Sequence, residues 1–164
     1  MKRGKITIVL LLILVVLAYL LYKNYPYMEV SYYNRHINAS GVKLNMTEEE
    51  VFEELGQKGE FVPGMGGHGW RYEYEKIFIT ISDHGIYRSK VCQIDTENES
   101  HDILGIKVGS SFDRAVRILH SKGFKETSHN FFTKGNVYVQ LSGGTIVSRL
   151  RIGIEDPAYK DVVF

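Results

Sequence analysis

The chain has 164 residues, with 20 lysines and arginines against 19 aspartates and glutamates and a single cysteine. A hydrophobic content of 44% with 24% charged residues excludes a disordered or collagen-like chain. A net charge of +1 supplies no basic face for nucleic acid, and one cysteine builds neither an intramolecular disulfide nor a cysteine-cluster metal site. The near-neutral total hides an asymmetry. Residues 1–23 contain Lys2, Arg3, Lys5 and Lys23 and no acid, which leaves residues 24–164 with a net charge of −3.

Residues 6–22 read ITIVLLLILVVLAYLLY, interrupted only by Thr7 and two tyrosine hydroxyls. As a helix at ~1.5 Å per residue this run spans roughly 25 Å, near the lower limit for a hydrocarbon core of about 30 Å. Lys23 is placed to snorkel, and Tyr19, Tyr22, Tyr25 and Tyr27 suit a membrane–water interface. A cleaved export signal shares the basic start, but its apolar core is shorter. A small-x-small site should also follow, where this chain has LAYLLYKNYPY. Residues 6–23 are therefore read as an uncleaved, single-pass transmembrane anchor. Three basic residues precede it and one follows. The positive-inside rule then leaves residues 1–5 as a cytoplasmic tail and residues 24–164 on the extracytoplasmic side of a cell membrane. Residues 24–40, with Pro26 near the start and Ala39-Ser40-Gly41 at the end, read as a juxtamembrane tether.

Beyond the tether the chain echoes itself. GVKLNMTEEEVFEELGQKGEF lies over GIKVGSSFDRAVRILHSKGFK at an offset of 64 residues, with identical pairs Gly41/Gly105, Lys43/Lys107, Leu55/Leu119, Lys58/Lys122 and Gly59/Gly123. Each segment predicts a helix. Thr47 is an N-cap with Glu50 completing a capping box, Val51, Phe52 and Leu55 share a face, and Gly56 stops the helix. In the second copy Ser111 caps, Phe112, Ala115, Val116 and Leu119 fall at i, i+3, i+4 and i+7, and Gly123 stops the helix.

Strands follow in both copies. In the first, residues 70–74 and 77–82 alternate, Asp83-His84-Gly85 turns, and residues 88–94 continue. In the second, residues 130–133, 137–141 and 146–154 are separated by Lys134-Gly135-Asn136 and Ser142-Gly143-Gly144. The expected fold is α+β: an N-terminal transmembrane helix followed by two tandem helix-plus-three-antiparallel-strand units, residues 41–100 and 101–164. At ~60 residues each, neither buries enough core alone, so the two should pack as one unit.

Four residues around the glycine-rich stretch Gly64-Met65-Gly66-Gly67-His68-Gly69-Trp70 are candidate partner-contacting residues: His68, Trp70, Tyr72 and Tyr74. A phosphate cradle fits poorly here, because such a loop should leave a strand and open a helix, whereas this one leaves a helix and enters a strand. A flexible connection or a partner-contacting loop remain as readings. Trp70 is a hot-spot candidate if exposed and a core residue otherwise. The six histidines show no i, i+4 zinc spacing; His68, His84 and His129 all lie near predicted turns, a placement that leaves convergence in space open. Cys92 sits in an alternating strand with no sequence-adjacent base, and no G-x-S-x-G nucleophile elbow occurs. No catalytic residue, metal ligand or cofactor is assigned.

The motif GVKLNMTEEEVFEELG and its echo GIKVGSSFDRAVRIL resemble the tandem repeats of the β-lactamase-inhibitor-protein-like superfamily. They are similar to the small outer-membrane-assembly lipoproteins of the SmpA/OmlA type. The resemblance implies an exported, non-enzymatic binding module that uses a sheet face or its loops. This chain departs from that pattern in carrying a transmembrane anchor instead of a lipid-modified cysteine, and it lacks the paired cysteines of the secreted inhibitors. The expected function is a membrane-anchored, non-catalytic binding protein whose partner is a protein or peptide of the cell envelope and not nucleic acid. An exported hydrolase using turn histidines near Asp83 and Asp95, and a membrane-tethered sensor, are the alternatives.

Overall fold

The computed structural model describes residues 2–56, 58–64 and 66–156, with side chains in the first helix from residue 8 onward apart from Val9. The side chains of Lys2, Arg3 and Lys5, Met65 of the glycine-rich stretch and the last eight residues of the second expected unit lie outside the described residues.

Helix α1 runs unbroken over Lys2–Asn34, 33 residues and roughly 50 Å. Over Leu10–Asn34 it is long and apolar enough to cross a membrane, a property that a membrane anchor shares with a signal sequence. Its described residues from Leu10 to Leu21 are exposed on every side. The expected tether is helix as far as Asn34. Pro26 removes one backbone donor and leaves the Tyr22 carbonyl without its helical partner, yet the helix continues because its last turns dock on the domain. Val30 and Tyr33, three apart on one face, are buried in the core. Tyr33 meets Phe124 edge-on at 5.7 Å, and the Asn34 side chain exchanges two hydrogen bonds with the Leu44 backbone, at 2.9 and 3.0 Å.

The remaining elements are β1 (Ile37–Asn38), α2 (Glu48–Leu55), β2 (Glu60–Gly64), β3 (Gly67–Tyr72), β4 (Ile77–Ser82), a 3-10 turn (Gly85–Tyr87), β5 (Val91–Thr96), β6 (Asp102–Ile103) and β7 (Ile106–Lys107). They continue as α3 (Phe112–Ser121), β8 (Lys125–Ser128), β9 (Phe131–Lys134), β10 (Val137–Gly143) and β11 (Val147–Ile154). The fold is α+β. One antiparallel sheet of eight strands has the order β2-β3-β4-β5-β11-β10-β9-β8, and β1, β6 and β7 form a small second sheet. Each of α2 and α3 is followed by four strands of the large sheet, not the expected three. The additional strands are its two edges. β2 reads EFVPG and β8 reads KETS, exposed and without apolar alternation, so only pairing to β3 and β9 makes them strands. Pro63 is tolerated because an edge strand has one side without ladder bonds.

The caps follow the sequence in part. Thr47 and Glu50 form the capping box, with the Thr47 amide donating to the Glu50 carboxylate at 2.7 Å, and Gly56 closes α2 in the left-handed region at φ 70°. Ser111 occupies the N-cap of α3 but its side chain makes no cap bond.

Alternation divides the large sheet into two faces. Ile77, Ile79, Ile81, Ile94, Val137, Val139, Leu141, Leu150 and Ile152 point to one face and are buried there with Val51, Ala115 and Leu119 from the helices. The opposite face carries Phe78, Thr80, Gln93, Tyr138, Gln140, Arg149 and Arg151, which keep contact with solvent. Leu55 packs against the core only in part, whereas Leu119 is fully buried, so the two aligned leucines are not equivalent in depth.

Candidate functional site

The glycine-rich stretch is a β-hairpin and not a loop. β2 pairs with β3 from Glu60 opposite Arg71 to Gly64 opposite Gly67. Gly67 and Gly69 are needed for close approach. A Cβ at Gly67 would lie 2.3 Å from the Ile81 carbonyl oxygen, and one at Gly69 would lie 2.3 Å from the Phe78 ring. Alternation puts His68, Trp70 and Tyr72 on the other side of β3, toward α2.

There His68 and Trp70 are drawn together by one carboxylate. His68 Nε2 lies 2.8 Å from Glu48 Oε1, and Trp70 Nε1 donates to the same oxygen. His68 Nδ1 stands 3.5 Å from Asp83 Oδ1. Phe52 and Phe61 pack edge-on to Trp70, with centroids 5.0 and 5.4 Å away. This corner ties the first turn of α2 to β3, and its polar groups are consumed in doing so. Tyr72 is buried, and Tyr74 is 92% exposed beyond the end of β3, so the four expected partner-contacting residues share no single surface. Nor do the three turn histidines converge, because His129 is far from the corner that holds His68 and His84. His68 is on the second strand from one edge and His129 sits between β8 and β9 at the other, five strand spacings or roughly 24 Å away.

The open face holds a different arrangement, at the centre of the sheet where β5 meets β11. Asp95 pairs across the ladder with Arg151, which in turn pairs with Gln140 of β10. Arg151 donates to Asp95 Oδ2 through Nε at 2.9 Å and Nη2 at 2.6 Å, and to Gln140 Oε1 through Nη1 at 3.0 Å. Two residues along, Arg149 donates through Nε to Glu97 Oε1 at 2.8 Å and stands 3.8 Å from Asp95 Oδ1. The Asp95 side chain is only 7% exposed, and its Oδ1 closes no hydrogen bond. Such a buried carboxylate is tolerable only while paired. Asp95, Glu97, Arg149 and Arg151 line a cleft of about 350 Å³ together with Arg71, Lys76 and Phe78. Arg71 reaches its acids only at 3.4 Å (Glu60) and 3.8 Å (Glu73). The cleft thus offers fixed guanidinium groups on its floor, loosely held cations at its rim and an aromatic wall.

Two further polar groups are structural. His101 is buried, with Ser40 Oγ 2.9 Å from Nε2 and Thr96 Oγ1 2.7 Å from Nδ1, bridging the segment after α1 to the end of β5. Burial lowers its pKa and favours the neutral ring. The Cys92 thiol is pushed up to about 11 by burial and donates to the Thr80 carbonyl at 3.4 Å, the setting of an inert thiol. Among the described residues no group of three or more histidine, cysteine, aspartate or glutamate side chains is arranged to hold a metal ion.

Apart from Asp95 and Tyr72, which also lines the cleft, the cleft residues escaped the sequence reading. Their signal was present as Asp95-x-Glu97 and Arg149-x-Arg151, like charges at period two, which puts each pair on one strand face. The sequence does not say that the two strands are neighbours.

No protein-family model matches the chain, and no curated protein sequence matches it. Among solved structures it is similar to an extracellular protein containing a SCP domain from Bacillus anthracis str. Ames. The TM-score is 0.50 and the identity 10%, over 68% of this chain. The chain spans 45% of the length of that protein, so the likeness is one of fold.

Proposed function

We propose that this chain is a membrane-anchored, extracytoplasmic, non-catalytic binding protein that holds a protein or peptide partner on the open face of its sheet. The observation that carries the reading is the contrast between the two faces. One is buried under helices. The other keeps side chains of β4, β5, β10 and β11 in contact with solvent and has, at its centre, a cleft built on a buried carboxylate and two arginines fixed by ion pairs. Rigid polar anchors beside an aromatic side chain suit recognition of a polypeptide segment, and guanidinium groups are enriched where partners bind. The apolar helix α1 supports anchoring, and the basic residues before it favour a cytoplasmic N-terminus with the domain outside.

In this reading the two units are copies of one ancestral unit of the β-lactamase-inhibitor-protein-like kind. Support comes from the succession of one helix and four strands occurring twice. The two helices also begin 64 residues apart, the offset of the sequence match.

The test places a photo-cross-linking amino acid in the full chain in native membranes, at Thr80 and Thr133 on the open face and at Glu53 and Arg117 on the outer sides of α2 and α3. The same partner should be captured from both open-face positions, and capture should be lost in an Arg149→Glu, Arg151→Glu background that still folds. Capture from the helix positions alone, or capture indifferent to the two arginine changes, would overturn the reading.

A further inference from the structure

The way α1 enters the domain fixes which end of the domain meets the bilayer. Tyr22 closes the apolar run and Lys23 follows it. At ~1.5 Å per residue, Tyr27 stands about 6 Å and Glu29 about 9 Å beyond Lys23 along the helix axis. The polar layer on each side of a hydrocarbon core is about 5–8 Å thick. Tyr27 and Glu29 therefore lie at the depth of the lipid headgroups or at their outer edge.

Both residues are already docked on the domain. The Tyr27 ring meets Tyr87 edge-on at 6.1 Å, and its hydroxyl donates to the Ile86 carbonyl at 3.4 Å. Glu29 Oε2 accepts from the Asn136 amide at 3.1 Å. The same end gathers the exit of β11, where Asp156 Oδ2 accepts from the Ile86 amide at 2.7 Å and the Glu155 amide donates to Asn136 at 2.8 Å. Three connections are thus drawn to one end of the domain at headgroup depth: the 3-10 turn, the β9–β10 turn and the exit of β11. At that end Ile86 is 41% exposed on the tip of its turn, and on α1 Tyr25 and Met28, within two residues of Tyr27 along the chain, are 57% and 56% exposed.

We propose that this end is a membrane-contact surface, with Ile86 and its 3-10 turn resting in the headgroup layer of the bilayer that α1 crosses. The proposal rests on reading α1 as an anchor. It accounts for an isoleucine, a tyrosine and a methionine that are exposed at similar depth, since apolar and amphipathic side chains are favoured at a membrane–water interface. It also orients the binding face. β4 runs from the cleft at Ile77 to the turn at Ser82, five steps or roughly 17 Å, so the Asp95–Arg151 cleft, central in the strand order, is held toward the strand ends away from the membrane.

The test uses the full chain with Cys92→Ser, carrying one introduced cysteine at a time: Leu14→Cys, Ile86→Cys or Tyr74→Cys. Each is labelled with an environment-sensitive fluorophore and reconstituted into phosphatidylcholine vesicles containing nitroxide lipid, labelled either at the headgroup or along the acyl chain. The Leu14 label should be quenched by the acyl-chain nitroxide and the Ile86 label by the headgroup nitroxide, severalfold more than the Tyr74 label at the distal end. Arg88→Cys, just past the turn, gives the same readout should Ile86→Cys not fold. Quenching at Leu14 with none above the Tyr74 level at Ile86 and Arg88 overturns the membrane contact and leaves the anchor standing. Absence of quenching at Leu14 overturns the anchor and this proposal with it.

Discussion

Replacing Arg151 by methionine isolates the energetics of the central ion pair. The guanidinium makes two hydrogen bonds to Asp95 Oδ2 and one to Gln140 Oε1. The Asp95 side chain is 7% exposed and that of Arg151 is 32% exposed, so the two partners differ in what their loss leaves behind. Arg151→Met strands a buried carboxylate whose nearest cation is Arg149 at 3.8 Å. Stranding a buried charge costs about 3–5 kcal/mol, and the partial exposure of the site points to about 3. Asp95→Asn leaves an arginine that still reaches solvent and Gln140, at a cost of about 1–2 kcal/mol. Asp95→Leu combined with Arg151→Met removes both charges and should return to within about 1 kcal/mol of the parent protein. For a domain of this size 1 kcal/mol moves the melting temperature by about 3–5 °C, so Arg151→Met should melt roughly 10 °C low. The measurement is thermal unfolding of the full chain in detergent followed by far-UV circular dichroism. The reasoning fails if Arg151→Met melts no lower than Asp95→Asn, or if the double variant is worse than Arg151→Met alone.

Leu119→Ala should cost about 2–5 kcal/mol, because Leu119 is fully buried. Leu55→Ala should cost clearly less, since Leu55 packs on the core only in part; equal losses in the same unfolding assay would contradict this description of α2. The buried His101 predicts a pH dependence with a defined sign. Its folded pKa is lowered by burial, so above about pH 6.5 neither state is protonated and no penalty exists. As pH falls below about 6.5 the unfolded chain takes up a proton that the folded protein resists, and stability drops until the folded pKa is reached. Melting temperatures from about pH 7.5 to about pH 5 should therefore fall more steeply for the parent protein than for His101→Gln, and parallel slopes would remove His101 from the account.

The features legible in the sequence are those set by neighbours within a few residues. The apolar run of α1, the Thr47–Glu50 capping box, the glycine stop of α2 and the alternation of β4 each depend on spacings of one to four residues, and all are present in the structure. What the sequence left open depended on partners far along the chain. The tether became helix because Val30 and Tyr33 find a core composed of residues from the whole domain, which offsets the bond lost at Pro26. The edge strands β2 and β8 carry no pattern of their own and exist through β3 and β9. Tyr72 read as an aromatic on a candidate surface, but period two assigns a side chain to a face without saying which face is covered. The cleft is the furthest case. Asp95 and Arg151 are 56 residues apart and meet only because the last strands of the two halves pair at the centre of the sheet. Short-range spacing determines which elements can form, and long-range pairing alone decides which charges become neighbours.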